Sequence, residues 1–297
     1  MKALLFSDKE ELLKQMSTMF RSKFEIDMLT FSENSDLNLY GSKKVLCLKT
    51  TYGTDALTST VANLINSDKY DYFIAGSTAL GRELASMIAE STGFDMISEI
   101  LSLEISDSTV KTTRFFYGGK TIITEQSKAR VFTVMPGLAD PVPVSTASEI
   151  VKINKVPESK LKIESVTPKE KGSVNIEKAD VLVSVGRGIG KKEGIELARS
   201  LANIIHGEIS GSRPICLDYH WLEEERQVGL SGKRVKPKLY LALGISGQIQ
   251  HIAGMRGSKM VIAINKDKNA PIFLECDYGV VGDLYQIVPA LIELLKK

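Results

Sequence analysis

Apolar positions in the first half of the chain follow two alternating spacings, which together predict a parallel sheet flanked by helices. Short apolar runs are typical of buried strands, and apolar residues three and four apart are typical of amphipathic helices. The predicted strands are Ala3–Ser7, Lys44–Lys49 and Tyr72–Gly76. The predicted helices are Asp8–Phe20 (capped by Ser7 or Asp8), Thr54–Ile65 and Thr78–Ser91. Strands that alternate with helices favour a parallel sheet covered on both faces.

A period of two replaces this pattern between Glu99 and Val134. Apolar and polar residues alternate over 101–105, which indicates a half-buried strand. The segment Arg114–Thr124 contains two adjacent glycines between strand-like runs and therefore predicts a hairpin. Lys128–Val134 is predicted as a further strand. We expect a β excursion appended to the first α/β domain.

Prolines dominate the region that follows. Five of them lie between Pro136 and Pro168 and exclude a long helix there. Ile150–Val156 and Leu161–Ser165 are predicted as extended strands. The lysines between 152 and 178 are interrupted by glutamates, which indicates a solvated connector. A domain boundary is expected near Lys169–Glu177, which gives one domain over 1–175 and a second over 176–297.

The second half returns to the α/β pattern, with glycines at the strand ends. Its predicted strands are Asp180–Val185, Lys238–Leu243, Met260–Ile264 and Ile272–Leu274. Its predicted helices are Lys192–Ile205, Gly247–Ala253 and Asp283–Leu295. Ligands of open α/β sheets bind outside the carboxyl ends of the strands, so the glycine loops mark the expected site.

The segment Val185–Gly190 places three glycines between a predicted strand and a helix. Glycine lets the backbone approach a phosphate, and the guanidinium of Arg187 can hold a diphosphate. The spacing is not that of a dinucleotide motif, because Gly190 comes one position early. A phosphate loop and a tight turn with a surface arginine both remain open on this evidence.

Three further segments carry candidate chemistry. In Gly244–His251, Ser246 is placed to cap a helix whose first amides could hold a phosphate or a ring carbonyl. His251 would then lie near the ligand, although a satisfied core histidine fits the same pattern. Ser212-Arg213 and Gln227–Lys233 are either plain connections or loops that close over a planar cofactor. The histidines lack the spacing of metal ligands, so no metal is expected.

Composition narrows the class of protein. The hydrophobic fraction of 43%, the charged fraction of 25% and the net charge of +2 describe an ordinary globular protein and give no reason to expect nucleic-acid binding. Three scattered cysteines suggest neither disulfides nor zinc. No window approaches the roughly 20 apolar residues of a membrane helix, and the start of the chain does not read as a signal peptide. We expect a cytoplasmic protein without membrane insertion.

Taken together, the glycine-marked segments of the second half resemble the electron-transfer flavoprotein alpha subunit. The matching blocks are S-V-G-R-G, G-S-R-P, Q-V-G-L-S-G-K, L-Y-L-A-L-G-I-S-G-Q-I-Q-H-I-A-G-M, V-I-A-I-N-K-D-K-N-A-P-I-F and D-Y-G-V-V-G-D-L, in the order and spacing of that family. The first half is similar more loosely, at Ile74–Arg82, Ile97–Ile100 and Tyr117–Gly119.

The resemblance implies a fold and an assembly. The fold is α/β in two domains: a parallel-sheet domain with a β excursion that contacts a beta subunit, and a Rossmann-like FAD-binding domain. One FAD would lie mainly on the second domain. The heterodimer would be an electron carrier and not an enzyme. It would take electrons from flavin dehydrogenases, such as those acting on acyl-CoA in fatty acid beta-oxidation, and pass them to a quinone-linked flavoprotein.

Residue roles are implied by the same resemblance. Arg187 and the segment from Ser246 would hold the diphosphate, and Arg213 and His251 would place positive charge and a hydrogen bond beside the flavin. Ser231 would approach the N5 and O4 side of the ring, so Arg213, Ser231 and His251 would act on its redox chemistry. The implied cofactor-binding residues are Arg187, Ser212, Arg213, Val228, Gly229, Leu230, Ser231, Ser246, Gly247, Gln248, Ile249, Gln250, His251, Asn265, Asp283 and Leu284.

Three features depart from the family pattern. Leu230-Ser231 stands where the family commonly has Gln-Thr, so the hydroxyl is retained and an amide is lost. Gln248 replaces a usual alanine, and the loop near Glu33–Ser42 is shorter. Alternative hypotheses are a subunit of an electron-bifurcating flavoprotein, a nicotinamide-dependent enzyme on a similar fold, and a nucleotide-binding interaction protein without redox function. The glycine spacing argues against the second, since it lacks the dinucleotide fingerprint.

Overall fold

The computed structural model describes residues 1–32, 36–48, 53–106, 108–154, 156–161, 164–165 and 175–296. The chain divides into two compact units, Met1–Thr167 and Pro168–Lys297. Several predictions fall partly outside the described residues. They are the strands over Lys44–Lys49, Ile150–Val156 and Leu161–Ser165, the connector over 152–178, the boundary near Lys169–Glu177 and the short loop near Glu33–Ser42. Within the described part of the chain, no helix is long and apolar enough to cross a membrane.

The first unit contains a nine-stranded sheet and three helices among its described residues. Its strands are β1 (Lys2–Phe6), β2 (Glu25–Thr30), β3 (Lys44–Cys47), β4 (Tyr72–Gly76), β5 (Met96–Ser106), β6 (Thr109–Phe116), β7 (Thr121–Ser127), β8 (Val131–Val134) and β9 (Glu149–Lys152). Its helices are α1 (Glu10–Phe20), α2 (Thr54–Ser67) and α3 (Ala79–Thr92). The strand order is β7-β6-β5-β8-β4-β1-β2-β3-β9.

Two apolar clusters explain why this sheet is covered on both faces. Leu13 and Met16 of α1 belong to one cluster, and Val61 of α2 and Leu84 of α3 belong to the other. Residues 3–6 of β1 are all fully buried, because alternate side chains enter opposite clusters. The predicted parallel sheet between two helical layers is confirmed.

Several details of the first unit differ from the sequence-based expectation. β8 is not part of an appended excursion, because it pairs in parallel with both β4 and β5 inside the main sheet. Among the described strands of this unit, β5, β6 and β7 alone form antiparallel pairs. β2 had no predicted counterpart. Helix α1 begins after Lys9, and neither Ser7 nor Asp8 is its N-cap; the Ser7 hydroxyl instead accepts a bond from the Lys9 amide at 3.1 Å.

The second unit is a five-stranded, wholly parallel sheet with three α-helices in its described part. Its strands are β10 (Val181–Val185), β11 (Glu208–Gly211), β12 (Leu239–Leu243), β13 (Val261–Asn265) and β14 (Tyr278–Val281). Its helices are α4 (Gly194–Ile204), α5 (Ile249–Met255) and α6 (Leu284–Leu295). The order β11-β10-β12-β13-β14 is doubly wound in the flavodoxin-like sense, and it differs from the order of the dinucleotide-binding Rossmann fold.

Two local predictions for the second unit are wrong. The predicted strand over Ile272–Leu274 lies in a short 3₁₀ helix, Pro271–Leu274. The strand that completes this edge is β14, which comes later in the chain. Ser246 does not cap α5, because Gln248 occupies the N-cap position and no side chain caps it.

Candidate functional site

The strand order reverses between β10 and β12, and this is where a doubly wound sheet opens a crevice for ligands. The glycine loops that follow these two strands meet there. A Cβ on Gly186 would lie 2.4 Å from the Gly244 carbonyl oxygen, and a Cβ on Gly188 would lie 2.7 Å from the Gly244 Cα. The glycines are therefore required for contact between two backbones.

This contact corrects one expectation about the loop that contains Arg187. The amides of Gly186 and Gly188 donate to the carbonyls of Leu243 and Gly244 at 2.9 and 3.0 Å, so neither is free to hold a phosphate. The loop continues as a short 3₁₀ turn over Arg187–Ile189, and α4 begins only at Gly194. The exposed side chain of Arg187 is one cationic group that this loop offers to an anion, and Lys191 and Lys192 are also exposed there.

The loop after β11 carries Ser212 and Arg213. The Ser212 amide donates to the Val185 carbonyl at 2.9 Å, which ties this loop to the end of β10. The Ser212 hydroxyl oxygen is buried, and no hydrogen-bond partner for it exists among the described residues. Arg213 is exposed and precedes a five-residue π-helical turn, Pro214–Asp218. The loop thus presents a buried hydroxyl beside an exposed cation.

Residues Val228–Ser231 bridge the loop after β11 to helix α5. The Val228 amide donates to the Gly211 carbonyl at 2.9 Å, and the Leu230 amide donates to the Gln250 carbonyl at 2.8 Å. Gly229 has a φ of +149° and packs beside Gln250, where a side chain would be strained. Ser231 and Leu230 are exposed. The second unit therefore brings the predicted residues of three loops to one edge of its sheet.

Helix α5 begins beside the same edge. Gly247 has a φ of +87°, and a Cβ there would lie 2.2 Å from the Ile272 nitrogen, so only glycine fits. The Ser246 carbonyl accepts a bond from the Ile272 amide at 3.1 Å. The side chains of Ser246, Gln248 and Gln250 are exposed, whereas Ile249 is half-buried.

His251 is the most deeply placed polar residue of the predicted site, with 7% of its surface exposed. Its Nε2 shares a hydrogen bond with the Tyr240 hydroxyl at 2.8 Å. Burial lowers the pKa of His251 to about 4, and the Val228 backbone only partly opposes this shift, so the ring is neutral at pH 7. Its Nδ1 makes no hydrogen bond of ordinary geometry within the described part of the chain. Thus one ring nitrogen of His251 has a hydrogen-bond partner of ordinary geometry among the described residues, and the other does not.

Three of the implied cofactor-binding residues, Asn265, Asp283 and Leu284, have local structural roles. Asn265 donates to the Ile245 carbonyl at 2.9 Å and accepts from the Asp267 amide at 3.0 Å. Asp283 is the N-cap of α6 and accepts from the Tyr285 amide at 2.8 Å. The Leu284 side chain lies in the apolar core. Their contacts with a cofactor stay a prediction.

Two residues of the site were missed by the sequence analysis. Gln227 is buried, and its amide donates to the Ser231 hydroxyl at 2.8 Å. Tyr240 is the partner of His251 described above. The available signal was weak: Gln227 stands at the head of a recognised block, and Tyr240 interrupts an otherwise aliphatic strand.

Comparisons with known proteins identify the family. Residues 175–256 match the model of the electron transfer flavoprotein FAD-binding domain, and residues 32–161 match the electron transfer flavoprotein domain. Protein FixB of Clostridium saccharobutylicum is 37% identical over 278 residues, which cover 88% of this chain and 82% of the relative. The electron transfer flavoprotein subunit alpha of Thermoanaerobacterium thermosaccharolyticum is 37% identical over 259 residues, which cover 84% and 78%.

A third relative is named acryloyl-CoA reductase electron transfer subunit beta, from Anaerotignum propionicum. It is 36% identical over 303 residues, which cover 88% of this chain and 82% of the relative. The relatives named as electron transfer flavoprotein subunits are electron carriers and not catalytic enzymes, and their alpha subunits pair with a beta subunit.

The residues present fit FAD, the cofactor of the matched domain. The edge of the sheet offers two exposed guanidinium groups, of Arg187 and Arg213, which suit a diphosphate and an electron-rich ring. It also holds two buried polar atoms, Ser212 Oγ and His251 Nδ1, that lack partners among the described residues. Buried polar groups are normally hydrogen-bonded, so a bound polar group is the natural partner. The chain belongs to the electron transfer flavoprotein alpha subunit family.

Proposed function

We propose that this chain pairs with a beta subunit and holds one FAD against the carboxyl edge of its second sheet, as an electron carrier in the cytoplasm. Its donors would be flavin dehydrogenases, including those that act on acyl-CoA in fatty acid beta-oxidation. Its acceptor would be a quinone-linked flavoprotein. The cofactor supplies the electron-transfer chemistry when bound, and the protein supplies binding, orientation and electrostatics.

One observation carries this proposal: two of the buried polar atoms that lack partners among the described residues, Ser212 Oγ and His251 Nδ1, lie at the sheet edge where the strand order reverses. Leaving a polar atom buried without a partner costs about 1–3 kcal/mol. Ser212 Oγ and His251 Nδ1 carry this cost in the described chain, and both follow or face strands of the crevice. A ligand with several acceptors would remove the cost at both positions.

The positive charge at this edge supports the binding of an electron-rich ligand. Arg187 and Arg213 are exposed on loops that follow β10 and β11. A guanidinium keeps its charge at any physiological pH and forms paired hydrogen bonds with phosphate oxygens. We assign Arg187 to the diphosphate and Arg213 to the ring, where a fixed positive charge stabilises added electron density.

The hydroxyl of Ser231 is oriented by the chain itself. Because Gln227 donates to the Ser231 oxygen at 2.8 Å, the hydroxyl hydrogen is left to point elsewhere. Gln227 is buried, which restricts the rotamers open to its side chain. We assign the Ser231 hydroxyl to donate to the N5 and O4 side of the ring. Leu230 has no role in this bond, so the loss of the family's usual amide there leaves it intact.

A second candidate concerns the acceptor. One relative carries the name acryloyl-CoA reductase electron transfer subunit. A chain similar to it could deliver electrons to an enoyl-CoA-type reductase in place of a quinone-linked flavoprotein. Both roles use the same FAD-bearing edge, and they differ only in the protein that docks to the complex.

The proposal is tested by co-expressing this chain with its beta subunit and reducing the purified complex stepwise. We expect a yellow complex that releases one FAD per alpha chain on denaturation and takes up electrons one at a time. Transfer is then assayed from an acyl-CoA dehydrogenase, with a quinone-linked flavoprotein and an enoyl-CoA reductase offered in parallel.

Each outcome of these measurements distinguishes the proposed function from an alternative. Uptake of two electrons in one step would indicate two-electron or bifurcating use of the complex. A colourless, stable complex that takes up no added FAD would contradict the proposal. Exclusive transfer to the reductase would select the second candidate.

A further inference from the structure

A fully buried tyrosine, Tyr240, forms a hydrogen bond with His251 at the proposed FAD site. Tyr240 belongs to β12, has no exposed surface, and is packed in the apolar cluster that also contains Val228 and Ile252. Burial raises the pKa of its phenol far above neutrality, so the hydroxyl carries its proton at every physiological pH. A protonated phenol has one hydrogen to donate.

The destination of that hydrogen follows from the neighbours of Tyr240. Ser184 and Ser210 are register partners on adjacent strands, and Ser184 shares a sheet face with Leu182, the register partner of Tyr240. Their hydroxyls oppose the pKa shift of Tyr240, yet in the described structure neither forms a hydrogen bond of ordinary geometry. The Nε2 of His251, at 2.8 Å, is the acceptor in place.

The hydrogen bond between Tyr240 and His251 determines which nitrogen of the imidazole carries the proton. A neutral imidazole has one N–H and one bare nitrogen, and a nitrogen that accepts a hydrogen bond must be the bare one. If the Tyr240 hydroxyl donates to Nε2, then the proton of His251 is on Nδ1. This nitrogen is buried, and apart from the contact of the ring with the Val228 backbone, which lies outside ordinary hydrogen-bond geometry, it has no partner in the part of the chain that the structure describes.

We infer that Tyr240 is a positioning residue: it donates to His251 Nε2 and thereby keeps His251 as a neutral Nδ1–H donor directed at the cofactor. The Nδ1 side of the ring neighbours the Val228 backbone, in the loop that also holds Ser231. An N–H at this position donates to an acceptor of the bound ring without introducing a buried charge. This inference rests on the proposed placement of FAD at this edge.

The test uses the heterodimer labelled with ¹⁵N-histidine. Nitrogen chemical shifts distinguish a protonated from a bare ring nitrogen, and the His251 signals are assigned by their loss in His251→Gln. We expect wild-type His251 to show a protonated Nδ1 and a bare Nε2 at pH 7. In Tyr240→Phe, which keeps the ring and removes the hydroxyl, we expect the proton to redistribute towards Nε2. FAD should then dissociate roughly threefold to tenfold more readily, since one hydrogen bond to it weakens.

The matched control is Tyr285→Phe. It also removes one hydroxyl bond in the same unit, from Tyr285 to the Ile189 carbonyl at 2.6 Å. We expect it to leave the His251 nitrogen shifts unchanged, so general loss of a phenol bond cannot mimic the effect.

The outcomes separate the inference from the proposed function. A yellow complex whose wild-type His251 carries its proton on Nε2 would overturn the inference and leave FAD binding intact. Unchanged nitrogen shifts in a folded Tyr240→Phe complex would do the same. A complex with the expected shifts that binds no FAD would overturn both. The wild-type spectrum alone decides the protonated nitrogen if Tyr240→Phe fails to fold.

Discussion

The two units share a doubly wound plan, yet the polar groups at the carboxyl edges of their sheets differ in whether they have hydrogen-bond partners. In the first unit the order reverses between β1 and β4, and the polar groups there bind one another. Thr78 donates to Asp8 and accepts from the Gly81 amide at 3.0 Å, and Arg82 donates to the Ser77 carbonyl at 3.0 Å. In the second unit, Ser212 Oγ and His251 Nδ1 lack partners among the described residues.

This difference shows that the fold supplies a crevice but does not by itself supply a binding site. Internal hydrogen bonds satisfy the first edge, so a ligand there would have to replace them. The second edge retains buried atoms whose desolvation cost a ligand can remove. Four substitutions test this difference between the two edges, in order of decreasing expected effect.

The backbone contact beneath the second edge gives the largest effect. In Gly186→Ala the new methyl would lie 2.4 Å from the Gly244 oxygen, and we expect a loss of about 3 kcal/mol in unfolding free energy, with loss of FAD. The measurement is urea unfolding followed by fluorescence of the single tryptophan, Trp221, which lies in this unit.

Its control is Gly190→Ala in the same loop. Gly190 has a φ of +78°, but a Cβ there meets no atom of the described residues within 4 Å. Only backbone strain of about 1 kcal/mol is expected. Equal losses for Gly186→Ala and Gly190→Ala would show that close packing of the two loops is not what matters.

The buried imidazole makes the second unit sensitive to acid. The pKa of His251 is about 4 in the folded chain against 6.5 for an ordinary histidine. Below pH 6.5 the unfolded chain takes up a proton that the folded chain does not, so stability is complete above pH 6.5 and falls towards pH 4. We expect this residue to account for about 2 kcal/mol of loss between pH 6.5 and 5.

The pH dependence is measured by denaturant unfolding at pH 5, 6.5 and 8, with His251→Gln compared to wild type. The substitution should remove this part of the slope. His206→Asn, at an exposed position of the same unit, should retain it. A wild-type slope in His251→Gln would contradict the assignment of a buried neutral ring.

The charge of Arg213 is expected to set the flavin potential. A hydrogen bond to a charged group contributes about 1.5–3 kcal/mol, so Arg213→Ala should lower the first one-electron reduction potential by roughly 60–130 mV. Redox titration of the complex checks this value. The control is Arg199→Ala, on the α4 surface, where Arg199 pairs with Glu196 at 3.5 Å. A mutant that retains FAD at an unchanged potential would remove Arg213 from this role.

The smallest effect belongs to the first edge. Thr78 is the N-cap of α3, and Thr78→Ala should cost about 1 kcal/mol in unfolding free energy. FAD content and potential should not change. Ser86→Ala, at an exposed position of the same helix, should be close to neutral. Loss of FAD from a folded Thr78→Ala complex would contradict the contrast between the two edges.

Elements with regular apolar spacing were predictable, and β4 begins and ends at the predicted residues. β2 escaped because it contains the buried Asp27, whose partners are the Lys2 ammonium at 3.2 Å, the Tyr70 hydroxyl at 2.6 Å and the Lys44 amide at 2.8 Å. A buried carboxylate breaks the apolar pattern, and the groups that compensate it lie far away in the sequence. β14 was not predicted because all four of its residues are exposed, so no buried apolar face marks it in the sequence. Its pairing with β13 alone defines it as a strand.

Some features of the candidate site could also be predicted from the sequence, and others could not. The loops were predictable, since glycines mark the ends of strands and ligands bind at those ends. The Tyr240–His251 bond was not, because it depends on how α5 packs on β12. The use of the glycines was left open by the sequence: Gly186 and Gly188 let two backbones meet, and their amides donate to carbonyls of the chain itself. Sequence spacing cannot distinguish a backbone from a phosphate as the neighbour of a glycine.

The most direct test is an experimental structure of the heterodimer purified with its bound FAD. We expect the cofactor at the carboxyl edge of the second sheet, with its diphosphate beside Arg187, its ring beside Arg213, and ring or ribityl acceptors within hydrogen-bond distance of Ser212 Oγ and His251 Nδ1. FAD bound elsewhere, with these two buried atoms bonded to ordered water, would contradict the assignment of this edge as the cofactor site.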